Sequence, residues 1–281
     1  MTRLLASDLL KEQILINKNT NCDRVDLEQI FLFILKVTRS DFYSKSHYLS
    51  SEDYKNLGDM INRRNDGEPL AYIVGKIGFW NIDLKVNKHV LVPRPETETI
   101  MELVLDSFDQ QSIKILDAGT GSGAIALALA SERKNWLIYA LEKSENSIKT
   151  AIDNMNNLGL RVGFFRSNWL DAIQSSSLDV VVSNPPYIDA NDLRLKADGV
   201  SKEPIEALVS KDQGFADLNK IIKDSFRCLV KGGRIFVEHA PEQSDLVEEF
   251  YEESNYTAIE VHKDLNGDNR VSSGIKNKKR G

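Results

Sequence analysis

The segment Ile113-Lys-Ile-Leu-Asp117-Ala-Gly119-Thr120-Gly121-Ser-Gly123-Ala-Ile-Ala-Leu constrains the fold more than any other stretch of the chain. Its apolar opening reads as a buried strand, its three glycines as a tight turn, and its alanine-rich continuation as the start of a helix. Such a junction brings backbone N–H groups to a helix N-terminus, where a ligand can approach them. The surroundings extend the pattern. From Glu96 onward, apolar strands near residues 113–117, 137–141, 162–166, 178–183 and 233–239 alternate with helical stretches. That alternation predicts an α/β fold with a mostly parallel sheet covered on both faces. Two last strands, near 256–262 and 270–273, are expected to close the sheet edge.

A chain of 281 residues suits one large domain with a smaller appendage. Residues 2–65 read as a small helical bundle. Leu4, Leu5, Leu9, Ile14 and Leu15 recur at helical spacing, as do Leu27, Ile30, Phe31, Phe33, Ile34 and Val37. Ser40 and Ser50 or Ser51 are candidate N-caps. At Asp66-Gly67 a turn signal opens a run of alternating apolar residues through Ile73, Ile77, Phe79, Ile82, Leu84 and Val86, which predicts a β-hairpin. Pro93-Arg94-Pro95 then stiffens an extended loop. The expected organisation is a helical domain over 1–65, a hairpin linker over 66–95 and a catalytic domain over 96–281.

Composition removes several function classes. Hydrophobic residues at 41% and charged residues at 28% are the balance of a globular protein with a proper core. The richest apolar run, residues 30–37, is far short of the roughly 20 residues a membrane helix needs. Asp8 and Glu12 near the start fit neither a secretory signal nor an acid-poor transit peptide, so a cytoplasmic location is expected. Cys22 and Cys228 stand far apart, and His47, His89, His239 and His262 show no metal-ligand spacing; reduced cysteines and no metal are expected. The net charge of -6 disfavours nucleic acid as a substrate, and the basic cluster at 276–280 reads as a solvated tail.

The glycine turn alone is shared by several nucleotide sites. Two carboxylates discriminate. Asp117 ends its strand where it can attract an ammonium group, and Glu142 ends the next strand where it can accept ribose hydroxyls. An acidic pair repels a diphosphate but suits S-adenosylmethionine, a cation with a free ammonium and ribose. Gly119, Thr120, Gly121 and Gly123 form the loop, and Asn168-Trp169 follows the third strand where an adenine would pack. NAD is the alternative cofactor.

After the fourth strand comes Ser183-Asn184-Pro185-Pro186-Tyr187-Ile188. It points to methylation of a planar nitrogen. An amide or exocyclic amine nitrogen is a poor nucleophile because its lone pair is delocalised, so its NH2 must be oriented. The Asn184 side-chain carbonyl and the Pro185 backbone carbonyl can each accept one N–H, while Tyr187 packs against the planar group and Pro186 stiffens the turn. No general base is strictly required, since the alkylated nitrogen is acidic.

Beyond these motifs, the sequence resembles the release-factor glutamine N-methyltransferases, the HemK/PrmC family. Three blocks carry the likeness: Arg63-Arg64 with Gly67-Glu68-Pro69-Leu70-Ala71-Tyr72-Ile73, Gly75 and Phe79-Trp80; Val90-Leu91-Val92-Pro93-Arg94-Pro95-Glu96-Thr97-Glu98; and the core from Leu116 through Asn184-Pro185-Pro186-Tyr187 to Glu203-Pro204, Ala207-Leu208 and Gly267-Asp268-Asn269-Arg270-Val271. The resemblance implies a seven-stranded, Rossmann-like methyltransferase domain, S-adenosylmethionine as cofactor, and an N-terminal bundle that helps hold a protein substrate. That substrate would be a class I peptide chain release factor, methylated on the glutamine of its Gly-Gly-Gln tip. By resemblance Asn184, Pro185 and Tyr187 belong to the glutamine-binding motif, Gly119, Gly121, Glu142 and Asn184 contact cofactor, and the 93–98 block is a loop near the active site. Asn168 departs from the aspartate common in the family. An adenine N-methyltransferase would use the same Asn-Pro-Pro-Tyr, and a cofactor-binding protein without turnover would keep the fold.

Overall fold

The computed structural model describes residues 4–18, 20–108 and 112–277. Two compact units emerge, one running up to Gly75 and including Lys196–Lys202, the other comprising Lys76–Leu195 and the chain from Glu203 onward.

In the first unit, β1 (Leu4–Leu5), α1 (Ala6–Ile16), α2 (Arg24–Leu35), α3 (Arg39–Ser44), β2 (Tyr48–Leu49), α4 (Ser51–Asn65) and α5 (Leu70–Val74) follow in order. Leu27, Ile30, Phe31 and Leu57 form its fully buried centre. Helix starts are set by side-chain caps: Asp23 accepts from Asp26 N, and Ser50 and Asp53 cap each other's backbone reciprocally. Three expectations need correcting. Leu4 and Leu5 are not helical but pair antiparallel with Leu49 and Tyr48, and Leu15 is 76% exposed. Thr38, not Ser40, caps α3, because its hydroxyl accepts from Asp41 N. Residues 70–74 form a helical turn rather than a strand: Pro69 precedes it and Gly75 closes it in the left-handed region at φ 78°, a proline-first, glycine-last bracket that outweighs a short alternation. Thr2 and Arg3 lie outside the described residues.

The second unit opens with an antiparallel hairpin, β3 (Lys76–Phe79) and β4 (Ile82–Lys85), so of the expected linker over 66–95 residues 76–95 belong to this unit and residues 66–75 to the first. There follow α6 (Glu98–Ser107), β5 (Lys114–Ala118), α7 (Ala124–Glu132), β6 (Leu137–Glu142), α8 (Glu145–Leu158), β7 (Gly163–Arg166), β8 (Leu178–Ser183), α9 (Ala216–Cys228), β9 (Leu229–Glu238), α10 (Ser244–Glu253), β10 (Tyr256–Lys263) and β11 (Asn269–Lys276). The seven strands from β5 to β11 form one sheet in the order β10-β11-β9-β8-β5-β6-β7, with β11 antiparallel to both its neighbours and β5 to β9 parallel.

Period-two alternation sorts the side chains onto two apolar layers. Ile115, Val180, Val182 and Phe236 face a core shared with α6, α7 and the hairpin residues Phe79 and Leu84. Leu116, Val181, Ile235 and Val237 face a second core with α9 and α10. The alanines of α7 are buried, which lets this helix lie close on the sheet. At the far end Lys276 is no solvated tail: its Nζ donates to Leu229 O at 2.7 Å and sits over the Phe226 ring. Lys278, Lys279 and Arg280 lie outside the described residues.

Candidate active site

Strand order reverses at β5: β6 and β7 lie on one side of it, β8 and β9 on the other. A crevice opens at the carboxyl ends of the strands where the order reverses, and ligands of open α/β sheets bind there. Asp117 and Asn184 meet at this switch point, Asp117 lying level with Val182, two residues before Asn184. Ser183 Oγ donates to Ala118 O at 2.6 Å and locks the two strand ends together.

From β5 the glycine turn runs back under β6, with Gly119 N and Thr120 N both donating to Leu141 O at 3.0 Å. Gly119 adopts φ 79°, and a Cβ there would lie 2.9 Å from the Trp169 ring, so both the turn and the close approach require glycine. The Asp117 carboxyl is buried behind the turn. Its Oδ2 accepts from Thr120 Oγ1 at 2.6 Å and Ala126 N at 3.2 Å, while its Oδ1 has no partner. Burial pushes its pKa up to about 7, opposed by the Thr120 and Ala126 hydrogen bonds and reinforced by Glu142. Glu142 accepts three backbone N–H groups, Gly121 on Oε2 at 3.1 Å and Lys143 and Ser144 on Oε1 at 2.8 and 2.9 Å. A carboxylate offers roughly four lone-pair sites, so a ribose diol here would compete with the Gly121 N–H, the longest of the three.

These groups line one cavity of about 770 Å³, a size suited to a cofactor together with a reacting group. Asp117, Gly119, Thr120, Gly121, Glu142, Asn168, Trp169, Asn184 and Pro186 reach it. Gly123, Pro185 and Tyr187 are not among the lining residues. A Cβ at Gly123 would meet Leu127 at 2.8 Å and Ala151 at 3.3 Å, so this glycine serves the approach of α7 and α8. Tyr187 is turned back: its hydroxyl donates to Glu238 Oε1 at 3.1 Å and its carbonyl accepts from Gln243 Nε2 at 3.0 Å. Burial raises the Tyr187 phenol, which therefore stays protonated. Asn168 is exposed and its Nδ2 donates to Asp171 at 3.3 Å. Trp169 donates from Nε1 to Asp217 at 2.8 Å, which fixes its ring against the glycine turn.

Several residues that the sequence offers only inside longer motif blocks take individual places here. Thr97, on the turn into α6, accepts Asn184 Nδ2 on its hydroxyl at 2.9 Å and lines the cavity. Glu203 is buried, accepts Val92 N at 3.0 Å and forms an ion pair with Arg94, which pins the proline-rich loop. Glu98 accepts Trp80 N at 2.7 Å, tying that loop to the hairpin. Arg270 pairs with Asp264 at 3.1 Å, whose Oδ1 caps the β10–β11 turn.

The first unit and the sheet each have counterparts among known proteins. Residues 9–75 match the PrmC N-terminal domain and residues 96–199 the methyltransferase small domain. A release factor glutamine methyltransferase of Buchnera aphidicola subsp. Schizaphis graminum is 38% identical over 265 residues, 93% of this chain and 96% of that protein. The chain belongs to the release factor glutamine methyltransferase family. The Escherichia coli protein of the same name is 38% identical over 227 residues, covering 80% of this chain and 82% of its own length. As a family member, the chain is an S-adenosylmethionine-dependent methyltransferase. A Pyrococcus furiosus methyltransferase crystal structure shares the fold with a TM-score of 0.54 at 19% identity, covering 71% of this chain and 91% of that one.

The cavity fits this cofactor on its own chemistry. The unpartnered Asp117 Oδ1 is a buried acceptor suited to an ammonium group. Glu142 presents a carboxylate that ribose hydroxyls would suit as donors, and the space beside Gly121 is open.

Proposed function

We propose that this chain methylates the side-chain amide nitrogen of the glutamine in the Gly-Gly-Gln tip of class I peptide chain release factors. The observation that carries this reading is the Asn184 side chain, fixed at the cavity wall by the 2.9 Å bond from its Nδ2 to Thr97. With its NH2 committed there, Asn184 offers its carbonyl oxygen to an incoming amide NH2. Pro185 stands outside the cavity lining, so in this reading its backbone carbonyl takes the second N–H only where the substrate amide reaches past Asn184, and the two acceptors then aim the nitrogen lone pair at the methyl group. When bound, S-adenosylmethionine supplies an electrophilic methyl on a sulfonium sulfur. Asp117 and Glu142 would hold it by its ammonium and ribose, and Asn168 and Trp169 would flank the adenine end. The proton of the alkylated nitrogen leaves to solvent.

Release factors are named as substrates of the relatives, and the PrmC-type N-terminal unit supports a protein substrate here. The net charge of -6 argues against nucleic acid in the same role. Among the described residues no helix is long and apolar enough to cross a membrane. The test is transfer of labelled methyl from S-adenosylmethionine to a purified class I release factor. A copy with the Gly-Gly-Gln glutamine replaced, DNA and RNA run in parallel. Label on the intact factor alone supports the reading; label on nucleic acid alone overturns it in favour of an adenine acceptor.

A further inference from the structure

We infer that Asp217, in the first turn of α9, is a positioning residue for the cofactor: it holds the Trp169 indole where its ring forms the wall of the adenine pocket. The inference rests on the reading of Trp169 as a flank of the adenine end. Asp217 acts through the ring, not on the base.

Trp169 stands in an unusual backbone conformation. Its φ of 49° lies in the left-handed region, which disfavours a side chain of this size. Such a conformation persists where the surroundings over-determine it, and ligand clamps are among the places where it is found. Three contacts hold it here. Ser167 Oγ donates to the Trp169 carbonyl at 2.9 Å, the six-membered ring closes on Gly119, and the indole Nε1 donates to Asp217 Oδ1 at 2.8 Å. An indole has a single polar atom, so the bond to Asp217 is the directional one and sets how the ring is turned.

Asp217 is held in turn. Its Oδ2 accepts from Ser210 Oγ at 2.6 Å, and its own N–H donates to the same hydroxyl oxygen at 3.0 Å, a closed ring that keeps Oδ1 turned to Trp169. Ser210 belongs to the backbone paired with the end of the reaction motif: Ser210 N donates to Ile188 O at 3.1 Å, Ile188 N donates to Leu208 O at 2.9 Å, and Ile188 directly follows Tyr187. Glu206, Ala207 and Val209 of this segment line the cavity, as do Trp169 and Asp217. One carboxyl thus joins the wall of the adenine end to the segment that braces the Asn-Pro-Pro-Tyr turn.

Isothermal titration of S-adenosylmethionine into the full-length protein tests this through a double-mutant cycle. Asp217→Ala should weaken cofactor Kd about tenfold, since it frees the ring and leaves its N–H without an acceptor. Asp217→Asn should stay within about threefold of wild type, because an amide offers its oxygen to Trp169 and its NH2 to Ser210. Trp169→Phe keeps a ring but has no N–H, so adding Asp217→Ala to it should change Kd by less than about twofold. A tenfold loss that recurs in the Trp169→Phe background overturns the inference, because Asp217 would then act on the cofactor directly or through the fold at large. So does a wild-type Kd in Asp217→Ala, or an Asp217→Asn protein as weak as Asp217→Ala. Trp169→Ala should also weaken Kd; an unchanged constant there would refute the placing of adenine at Trp169 itself, an outcome distinct from the others, and the inference would fall with it.

Discussion

The buried Asp117 carboxyl gives cofactor affinity and protein stability opposite responses to pH. Its pKa in the folded protein is about 7, against an ordinary value of 3.8. Raised in the fold, this acid is disfavoured in its charged form. Its stability contribution is therefore fully present below the ordinary value and is lost as pH rises through about 7, by about 4 kcal/mol in all. Between pH 8 and 6 the free protein should regain on the order of 1 kcal/mol from this group. Cofactor binding runs the other way, because an ammonium group needs the carboxylate. With a pKa of about 7, the proton competes with the ligand by a factor of about 11 at pH 6 and about 1.1 at pH 8, so Kd should be about tenfold weaker at pH 6. Isothermal titration of S-adenosylmethionine into wild type and Asp117→Asn at both values separates this from titration of the ligand itself, which both proteins experience. A wild-type to variant Kd ratio that stays constant with pH would refute the reasoning.

Glu142→Ala should raise cofactor Kd by about ten- to a hundredfold, since a charged acceptor is worth ~1.5–3 kcal/mol, and an unchanged Kd would remove Glu142 from the site. Asn184→Ala should lower kcat about 10²-fold or more while cofactor Kd stays within about twofold; equal losses in both would count against an aiming role. Gly214→Ala tests the backbone behind the motif. At φ 94° its Cβ would lie 2.3 Å from the Tyr187 carbonyl oxygen, which no rotamer change can relieve. The left-handed strain and the clash together should cost ~2–5 kcal/mol, a drop of about 5–20 °C in melting temperature by circular dichroism, and a drop under about 2 °C would contradict it.

Legibility of the sequence followed the range of the interaction. The strands β5, β6, β7 and β8 and the glycine turn were readable because each is a local pattern of apolar periodicity broken by glycine. Asn184 was readable because the prolines beside it leave few conformations open. Thr97 was legible only as part of the 93–98 block near the active site: its partner Asn184 stands 87 residues on (184 minus 97), and only the closing of the sheet brings the two together. Glu203 stood in the sequence only as part of a motif, and its role is recognisable once Val92 and Arg94 are seen against it. The inclusion of Lys196–Lys202 in the first unit rests on the ion pair from Arg64 to Asp198, with Asp26 on the other side of the same guanidinium. Neither aspartate stands out in the chain. At Leu70–Val74 the information was present but misweighted, since Pro69 and Gly75 are local signals.

The place of β11 bears on how the enzyme is made. It lies between β9 and β10 in the sheet yet is synthesised after both, so a nascent chain leaving the ribosome carries β9 with one edge of bare N–H and C=O groups until the last strand arrives. The glycine turn and the Asn-Pro-Pro-Tyr segment have by then been made. His239, next to Glu238, receives two of its partners from β11, Ser272 Oγ at 2.8 Å and Arg270 O at 3.0 Å. A chain stalled between β10 and β11 would hold both sequence motifs complete while its sheet edge stayed open to chaperones or to aggregation.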